Sequence, residues 1–169
     1  EEYTCKILLV GDQGVGKTSF FNRCSTQDFE TDSPKGSTLC FRTHEVKVHD
    51  KILKLQIWDD KENRDTEVRT NTFYSGAQGI LFLYDITNRE SFSSLDFWLD
   101  LAEKQVDGAF TKLLIGNKTD LEHERQVSFE EAKAYAEKQN LQVLEISVKD
   151  LVSMDYIFSI MTTQIFEEG

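Results

Sequence analysis

The chain is 169 residues long, with 39% hydrophobic and 11% aromatic residues, which is typical of one globular domain rather than a disordered chain. Its 30 acidic and 19 basic residues give a net charge of −11, which argues against a nucleic-acid-binding surface and against direct binding to anionic lipid. The three cysteines and three histidines lack metal-ligand spacing, so we expect a reducing, cytosolic setting and no zinc site.

The first sixty residues predict a strand, a helix and a β-hairpin. Residues 3–10 form an apolar strand pattern, and residues 17–25 are compatible with a helix. A polar and irregular stretch over residues 25–37 contains the only proline. Residues 41–48 and 52–58 alternate between polar and apolar side chains on either side of a short polar turn, which predicts an antiparallel hairpin.

The remainder of the chain alternates between strand and helix signals. Apolar runs at residues 79–84 and 113–116 predict buried strands, and residues 143–146 predict the last strand. Residues 87–90 and 128–131 have capping-box spacing and predict the starts of two helices. The first of these and a final helix carry apolar residues on one side: Phe92, Leu95, Leu99 and Ala102, then Ile157, Ile160, Met161 and Ile165. This order predicts an α/β fold with a six-stranded, mostly parallel sheet and helices on both faces, in which ligands bind at the carboxyl ends of the strands.

Residues 11–18 have the spacing G-x-x-x-x-G-K-[ST] between a predicted strand and helix, which is the pattern of a phosphate-binding loop. Glycines let successive backbone N–H groups approach a polyphosphate, and the following helix presents the positive end of its dipole. Lys17 can reach the β- and γ-phosphates, and the Thr18 hydroxyl can bind Mg²⁺. A chance glycine turn is the alternative, and the flanking strand and helix disfavour it. We expect phosphate contacts from Gly14, Val15, Gly16, Lys17, Thr18 and Ser19.

Two later segments indicate the base of the nucleotide. Residues 117–120 follow a predicted buried strand, and the Asp120 carboxylate can accept two hydrogen bonds that guanine offers and adenine does not. Residues 145–149 follow the last strand and place a backbone N–H near the base oxygen. Base contacts are expected from Asn117, Lys118, Asp120, Ser147, Val148 and Lys149. A P-loop kinase or ATPase stays an alternative, and it would need a different base reader.

These motifs, in this order, resemble the Ras-like small GTPases, and the likeness covers essentially all of residues 1–169 as a single domain. Residues 54–59, 73–77 and 83–87 are most similar to Rab proteins. The resemblance implies a P-loop small-GTPase fold, GDP or GTP with Mg²⁺ as cofactors, and a role in vesicle traffic.

No apolar run reaches membrane-spanning length, and the sequence shows no signal peptide and no prenylation cysteine. We therefore expect a cytoplasmic protein, peripheral on endomembranes if a lipidated tail follows. We expect this sequence to be a fragment from which terminal tails or further domains of the protein are missing.

The resemblance also implies roles for individual residues. Phe29 would stack edge-on against the guanine, Asp120 would read the base, and Lys118 would pack over the base and the phosphate loop. Mg²⁺ would be bound by Thr18 and, through a water molecule, by Asp59. Effectors or regulators would bind the switch regions and an aromatic triad of Phe41, Trp58 and Phe73. Plain core packing of these three aromatic residues is an equally weighted alternative.

The chain departs from Rab proteins in both segments that contact the γ-phosphate. Gly36 occupies the position of the switch I threonine, a Mg²⁺ ligand, although Ser37 or Thr38 could replace it after a small shift of the loop. In switch II, Glu62 replaces a glycine whose N–H meets the γ-phosphate. Asn63 replaces the glutamine that orients the attacking water, and its side chain is one methylene shorter. A merely solvated loop is the alternative for the charged switch II segment.

A carboxylate about 4 Å from the γ-phosphate costs on the order of 4 kcal/mol at an effective dielectric of ~20, of which a Glu62 that can swing into water would retain roughly 1–2 kcal/mol. We therefore expect diphosphate binding to persist while triphosphate sensing weakens. Gln13 can crowd an incoming arginine finger, which would further slow assisted hydrolysis. Two hypotheses follow: a GDP-biased Rab-like GTPase with slow hydrolysis and a degenerate catalytic Asn63, or a catalytically inactive pseudo-GTPase that serves as an interaction scaffold.

Overall fold

The structure, a computed structural model, describes residues 2–12, 14–17, 20, 28–30, 39–48, 50–60, 73–147 and 151–168. Within these ranges the description covers the backbone alone at residues 2, 28–30, 39–42, 48, 60, 120, 151–155 and 166–168.

Seven strands form one sheet in the order β2-β3-β4-β1-β5-β6-β7. The strands are β1 Glu2–Val10, β2 Asp28–Glu30, β3 Leu39–Val48, β4 Lys51–Asp60, β5 Gly79–Asp85, β6 Thr111–Asn117 and β7 Gln142–Glu145. The pairs that join β4, β1, β5, β6 and β7 are parallel, whereas β3 is antiparallel to both β2 and β4. The predicted α/β fold is confirmed, with all six predicted strands present. A short seventh strand, β2, lies in the predicted irregular stretch and pairs with the outer edge of β3.

Helices follow β5, β6 and β7 in the parallel part of the sheet. They are α1 Arg89–Ser93, α2 Leu95–Gln105, a 3-10 helix Thr119–Glu124, α3 Phe129–Lys138 and α4 Leu151–Glu168. Lys17 and Phe20 also have helical backbone, and the Phe20 N–H donates to the Gly16 carbonyl at 2.8 Å. Among the described residues, none of the helices combines the length and the apolarity that crossing a membrane requires.

One predicted helix start is confirmed, and another lies one residue further along. Ser128 caps α3, and its hydroxyl accepts a hydrogen bond from the Glu131 N–H at 3.1 Å. The cap of α1 is Asn88, whose side chain accepts from the Glu90 and Ser91 N–H groups. The capping box predicted to start at Thr87 is therefore wrong. Asn88 takes the cap because its side chain accepts from the helix N–H groups, whereas the Thr87 N–H and hydroxyl both donate to Asp85 and hold Thr87 in the turn before the helix.

Alternate residues of the central strands face opposite sides of the sheet and enter two separate cores. Leu8 of β1 and Phe82 of β5 pack with α2 on one side. Ile7 of β1 and Leu81 of β5 pack with Ile157, Phe158 and Met161 of α4 on the other. Burial of both faces explains why these strands are continuously apolar in sequence. The strand ends are then the places where polar side chains meet.

Candidate nucleotide-binding site

The loop after β1 has a backbone that two of its glycines make possible. Gly11 has φ +150° and Gly16 has φ +96°, values that side chains disfavour. A Cβ at Gly11 would lie 2.5 Å from the Leu83 carbonyl oxygen, and one at Gly16 would overlap the Asn117 side-chain amide. The loop therefore packs against the ends of β5 and β6 more closely than any side chain would permit. That close approach is what a backbone cradle for phosphate requires.

Lys17 stands at the start of the helix that follows the loop. Its ammonium donates to the Gly11 carbonyl at 2.5 Å and so bridges the two ends of the loop. Val15, between them, is fully buried in the core shared by β1 and α4. Val15 thus fixes the loop to the core, while Lys17 adds a positive charge to the loop. A positive charge at the start of a helix suits a polyphosphate.

The loop after β6 is tied directly to the phosphate loop. Asn117 is completely buried, and its Nδ2 donates to the Val15 carbonyl at 2.9 Å. Its Oδ1 accepts from the Lys118 backbone N–H at 2.8 Å, while the Lys118 ammonium donates to the Gly14 carbonyl at 2.9 Å. Lys118 has φ +72°, a left-handed conformation that is unfavourable for a lysine and is found mainly at functional sites. The structure therefore brings residues 117 and 118 into direct contact with the phosphate loop.

Asp85, at the end of β5, is a site residue that the sequence interpretation missed. Its Oδ2 forms a 2.8 Å ion pair with the Lys118 ammonium. Its Oδ1 accepts from the Thr87 N–H at 2.8 Å and from the Thr87 hydroxyl at 2.6 Å. Burial alone would raise the pKa of this carboxyl, but the hydrogen bonds from Lys118 and Thr87 outweigh it and hold the pKa below its ordinary value. The one available signal was a carboxylate directly after a buried strand.

The segment after β7 joins the same site through its backbone. The Ile146 N–H donates to the Gly116 carbonyl at 2.8 Å, and the Thr119 N–H donates to the Ile146 carbonyl at 3.1 Å. Ser147 follows and is partly buried. Two residues earlier, the Glu145 carboxylate accepts two hydrogen bonds of 2.6 and 2.7 Å from the Arg125 guanidinium, which raise the pKa of Arg125. Both predicted base-reading segments therefore converge at the ends of β6 and β7.

Some predicted residues lie outside the described residues. They are Gln13, Thr18, Ser19, Gly36, Ser37, Thr38, Glu62, Asn63, Val148 and Lys149. For Phe29, Phe41 and Asp120 the description covers the backbone alone. Asp120 lies in the 3-10 helix that begins two residues after Asn117, and Phe29 is the register partner of Phe41.

Asp59 ends the parallel pairing of β4 with β1, as a partner of Leu9. The residue is 1% exposed. Its backbone thus lies one strand away from the residues that enter the phosphate loop. A buried carboxylate in this place suits a hard cation bound through water. Among the described residues, no group of three or more His, Cys, Asp or Glu side chains could hold a metal alone. Phosphate oxygens and water would have to complete a Mg²⁺ site here.

The residues of the aromatic triad have different environments. Trp58 is the register partner of Phe41 and is partly exposed. The Lys6 ammonium lies 4.2 Å from its ring centroid, a cation–π contact. Phe73 is buried and packs edge-to-face against Tyr74. The core-packing alternative therefore describes Phe73, whereas Trp58 presents part of its ring at the surface.

Comparison with known proteins agrees with this geometry. Residues 6–167 match the sequence profile of the Ras family. Ras-related protein RABA5b of Arabidopsis thaliana is 40% identical over 166 residues, which cover 98% of this chain and 76% of that protein. Ras-related protein RABA1i of the same plant is 38% identical over 165 residues, with the same coverage of both chains. Ras-related protein Rab11B of Nicotiana tabacum is 36% identical over 166 residues, again covering 98% and 76%. The chain belongs to the Ras family and is a Rab-like small GTPase.

Proposed function

We propose that this chain is a guanine-nucleotide-binding switch of the Rab type that acts in vesicle and membrane traffic, with residues 1–169 as one domain. The observation that carries the proposal is the direct bonding of two distant motifs. Asn117 and Lys118 bond to the carbonyl groups of Val15 and Gly14, about one hundred residues earlier in the chain. This bonding would join a base reader and a phosphate cradle into one site.

The remaining base contacts are proposed on the same basis. The segment that carries Asp120 begins beside Lys118, and Ser147 lies next to Ile146, whose carbonyl accepts from Thr119. Asp120 would accept the guanine N1 and N2 hydrogens, and the backbone of residues 147–149 would donate to the base oxygen. Phe29 would close the site from the β2 edge.

The donor set fits Mg²⁺ together with a nucleotide. Mg²⁺ keeps several waters and is bound by one or two protein oxygens plus phosphates, which matches a hydroxyl at Thr18 and a buried carboxylate at Asp59. When bound, Mg²⁺ neutralises phosphate charge. Lys17 would release the Gly11 carbonyl and neutralise the β- and γ-phosphates, and the glycine backbone would present its N–H groups to them.

We propose further that the protein favours GDP and hydrolyses GTP slowly. This rests on Gly36, Glu62 and Asn63, which replace a Mg²⁺ ligand, a γ-phosphate donor and a water-orienting amide. Each change acts on the third phosphate, and none lies in the base-reading segments. Hydrolysis depends on positioning the water and stabilising charge, so a shorter and displaced amide at Asn63 would lower the rate. Gln13 would limit assistance by an arginine finger.

Partners are proposed on the side of the sheet where Trp58 is partly exposed. Effectors or regulators would bind the switch segments together with Trp58 and the neighbouring Phe41 position. The setting would be cytoplasmic, with peripheral attachment to endomembranes through a lipidated tail if one follows residue 169.

The second candidate function is a pseudo-GTPase scaffold that holds GDP permanently. It is favoured by the two γ-phosphate departures acting together. The two functions share the same nucleotide site and differ only in turnover.

Two measurements separate these functions. Nucleotide extracted from the purified protein should be GDP or GTP by chromatography, and adenine nucleotide would contradict the assignment of Asp120. Single-turnover hydrolysis of labelled GTP should be slower than in an ordinary Rab protein. An ordinary intrinsic rate would contradict both the slow-hydrolysis proposal and the scaffold, whereas no detectable turnover would select the scaffold.

A further inference from the structure

One side chain of α2 holds the phosphate loop from outside. Trp98 is 7% exposed and lies on the apolar stripe of α2. Its indole N–H donates to Asp12 Oδ1 at 2.9 Å, across 86 residues of sequence. A buried indole N–H usually finds a polar partner, and here that partner is a carboxylate at the start of the phosphate loop. The helix and the loop are therefore joined by a charge-assisted hydrogen bond.

The same indole lies beside the lysine of the loop. The Lys17 ammonium is 5.7 Å from the centroid of the Trp98 ring, within the range of a cation–π interaction. The Phe97 ring packs edge-to-face on Trp98 with centroids 5.1 Å apart, which restricts the orientation of the indole. Trp98 thus contacts both the acidic and the basic side chain of the loop.

The position of the Asp12 carboxylate matters because the loop attracts anions. Its backbone N–H groups, the following helix and Lys17 all favour negative charge, and they do not discriminate between a phosphate and a nearby carboxylate. An unrestrained Asp12 could compete for these donors and would also repel the phosphates. The hydrogen bond to Trp98 turns this carboxylate toward α2.

We propose that Trp98 is a positioning residue of the nucleotide site, whose indole N–H keeps the Asp12 carboxylate away from the phosphate donors. The inference rests on the proposed binding of guanine nucleotide. It adds an element, α2, that neither the phosphate loop nor the base-reading segments contain. The consequence is that loss of the indole N–H accelerates nucleotide release, and that this effect requires the carboxylate.

The test measures dissociation of fluorescently labelled GDP from four proteins: the unaltered chain, Trp98→Phe, Asp12→Ala and the double variant. Trp98→Phe keeps an aromatic ring and removes the N–H, so release should be about tenfold faster, which corresponds to about 1.4 kcal/mol. Asp12→Ala removes the competing anion, so it should release GDP no faster than the unaltered protein. The double variant should behave like Asp12→Ala, because there is no carboxylate left to restrain.

Leu99→Ala is the matched control, since Leu99 lies beside Trp98 on the buried stripe of α2. It should lower the urea midpoint of unfolding and leave GDP release unchanged. Equal release from Trp98→Phe and the unaltered protein would overturn the inference. So would an undiminished effect of Trp98→Phe in the Asp12→Ala background, because Trp98 would then act through packing alone. Failure of the unaltered protein to bind labelled GDP would instead contradict the proposed function, and the inference with it.

A second measurement does not require the Trp98→Phe variant to fold. The chain has two tryptophans, so Trp58→Phe leaves Trp98 as the only one. Removal of GDP with a chelator and a phosphatase should change the Trp98 emission. With GDP bound, the Lys17 ammonium would contact phosphate, and without it the ammonium donates to the Gly11 carbonyl beside the indole. The emission of the same protein treated with chelator and excess GDP provides the control. Identical spectra with and without nucleotide would contradict the placement of Trp98 at the site.

Discussion

The two sides of β1 use their polar side chains differently. On the side of β5, β6 and β7, the strand ends carry a closed set of bonds in which Asp85, Asn117 and Lys118 contact one another and the phosphate loop. On the side of β4 and β3, the described contacts include the cation–π contact of Lys6 with the partly exposed Trp58. Ile52 of β4 is 43% exposed on this side. The first region is organised around the loop, and the second faces outward.

Under the proposed function, this difference would allow nucleotide binding and triphosphate sensing to diverge. The side of β5, β6 and β7 retains the Rab-like motif at residues 117–120, and Asp85, Asn117 and Lys118 satisfy one another there. The departures at Gly36 and Glu62 adjoin the strands of the other side, since β3 begins at Leu39 and β4 ends at Asp60. Substitution there would leave the bonds among Asp85, Asn117 and Lys118 in place. On the proposed function, the protein would therefore keep its nucleotide while losing the ability to report its third phosphate.

The largest effect is expected from Asn117→Ala, which removes a hydrogen bond between the end of β6 and the phosphate loop. The change leaves the Val15 carbonyl and the Lys118 N–H without their side-chain partner, and each unmet buried group costs about 1–3 kcal/mol. The affinity for labelled GDP should fall by about 100-fold, or ~2.7 kcal/mol. Gln164→Ala is the control, because it removes an exposed hydrogen bond from the Gln164 side-chain amide to Gln142 and should not alter GDP binding. A loss smaller than fivefold would show that this contact does not organise the site.

The second-largest effect is expected next to β3 and β4 in sequence, where restoring the Rab residues at the γ-phosphate positions should raise the rate of GTP hydrolysis. Glu62→Gly removes a carboxylate and lets the backbone N–H approach the γ-phosphate, Asn63→Gln restores a full-length amide, and adding Gly36→Thr restores a Mg²⁺ ligand. The single-turnover rate with GTP should rise by about tenfold, since loss of one transition-state donor costs about 10²–10³ and the restored geometry is only partial. GDP affinity should stay within twofold and serves as the internal control. An unchanged rate in the triple variant would place the catalytic defect elsewhere.

Much of the fold was predictable because its signals are local. The continuous apolar runs of β5 and β6, the alternation of the hairpin and the Ser128 cap each depend on a few neighbouring residues. The three-residue β2 was not predictable, because pairing with β3 decides it rather than its own pattern. Thr87 was misassigned as a cap because its N–H and hydroxyl both donate to Asp85 and Asn88 caps the helix, which only the folded chain shows.

The candidate site was predictable in part for the same reason. Gly11 to Lys17 and the segment from Asn117 form motifs whose spacing is visible in the sequence. Asp85, Asp12 and Trp98 take part through contacts with residues far along the chain, and no periodicity indicates them. Motifs therefore identify the groups that contact a ligand, while the groups that hold those motifs in place emerge only from the tertiary structure.

A third and smaller effect is expected from Asp85→Asn, again on the bonded side. The amide keeps an oxygen for Thr87 but loses the charge that pairs with Lys118, and the free energy of unfolding at pH 7 should fall by about 1–2 kcal/mol. The folded pKa of Asp85 is lowered, so its contribution is complete above the unfolded pKa of about 3.9 and is lost as the pH falls through the folded value.

Urea unfolding at several pH values checks this dependence. The difference between the unaltered protein and Asp85→Asn should be constant from pH 7 to about pH 5 and should shrink below about pH 4. Asp100→Asn provides the control, because the Asp100–Lys104 pair is exposed and should contribute less than about 0.5 kcal/mol. A difference that persists undiminished in acid would show that the Asp85 charge is not the cause.

The smallest effect is expected from Lys6→Met, on the outward-facing side. Burial lowers the pKa of Lys6 to about 8, while its bond to the Ser75 carbonyl at 2.7 Å and its stack on Trp58 favour the charged form. These effects oppose one another, so Lys6→Met should change the free energy of unfolding at pH 7 by less than about 1 kcal/mol. The lowered pKa means that the unfolded chain binds more protons between about pH 8 and pH 10.5.

Lys6 should therefore contribute stability that is complete above the unfolded pKa and is lost as the pH falls through about 8. Urea unfolding from pH 7 to pH 10 should show this rise in the unaltered protein and a flatter profile in Lys6→Met. Lys51→Met is the matched control, because Lys51 stacks on Tyr3 at 5.3 Å in an exposed position and its removal should keep the rise. Equal profiles for all three proteins would mean that Lys6 is as well solvated as Lys51. The outward-facing character of the β3 and β4 side would then extend to Lys6 itself.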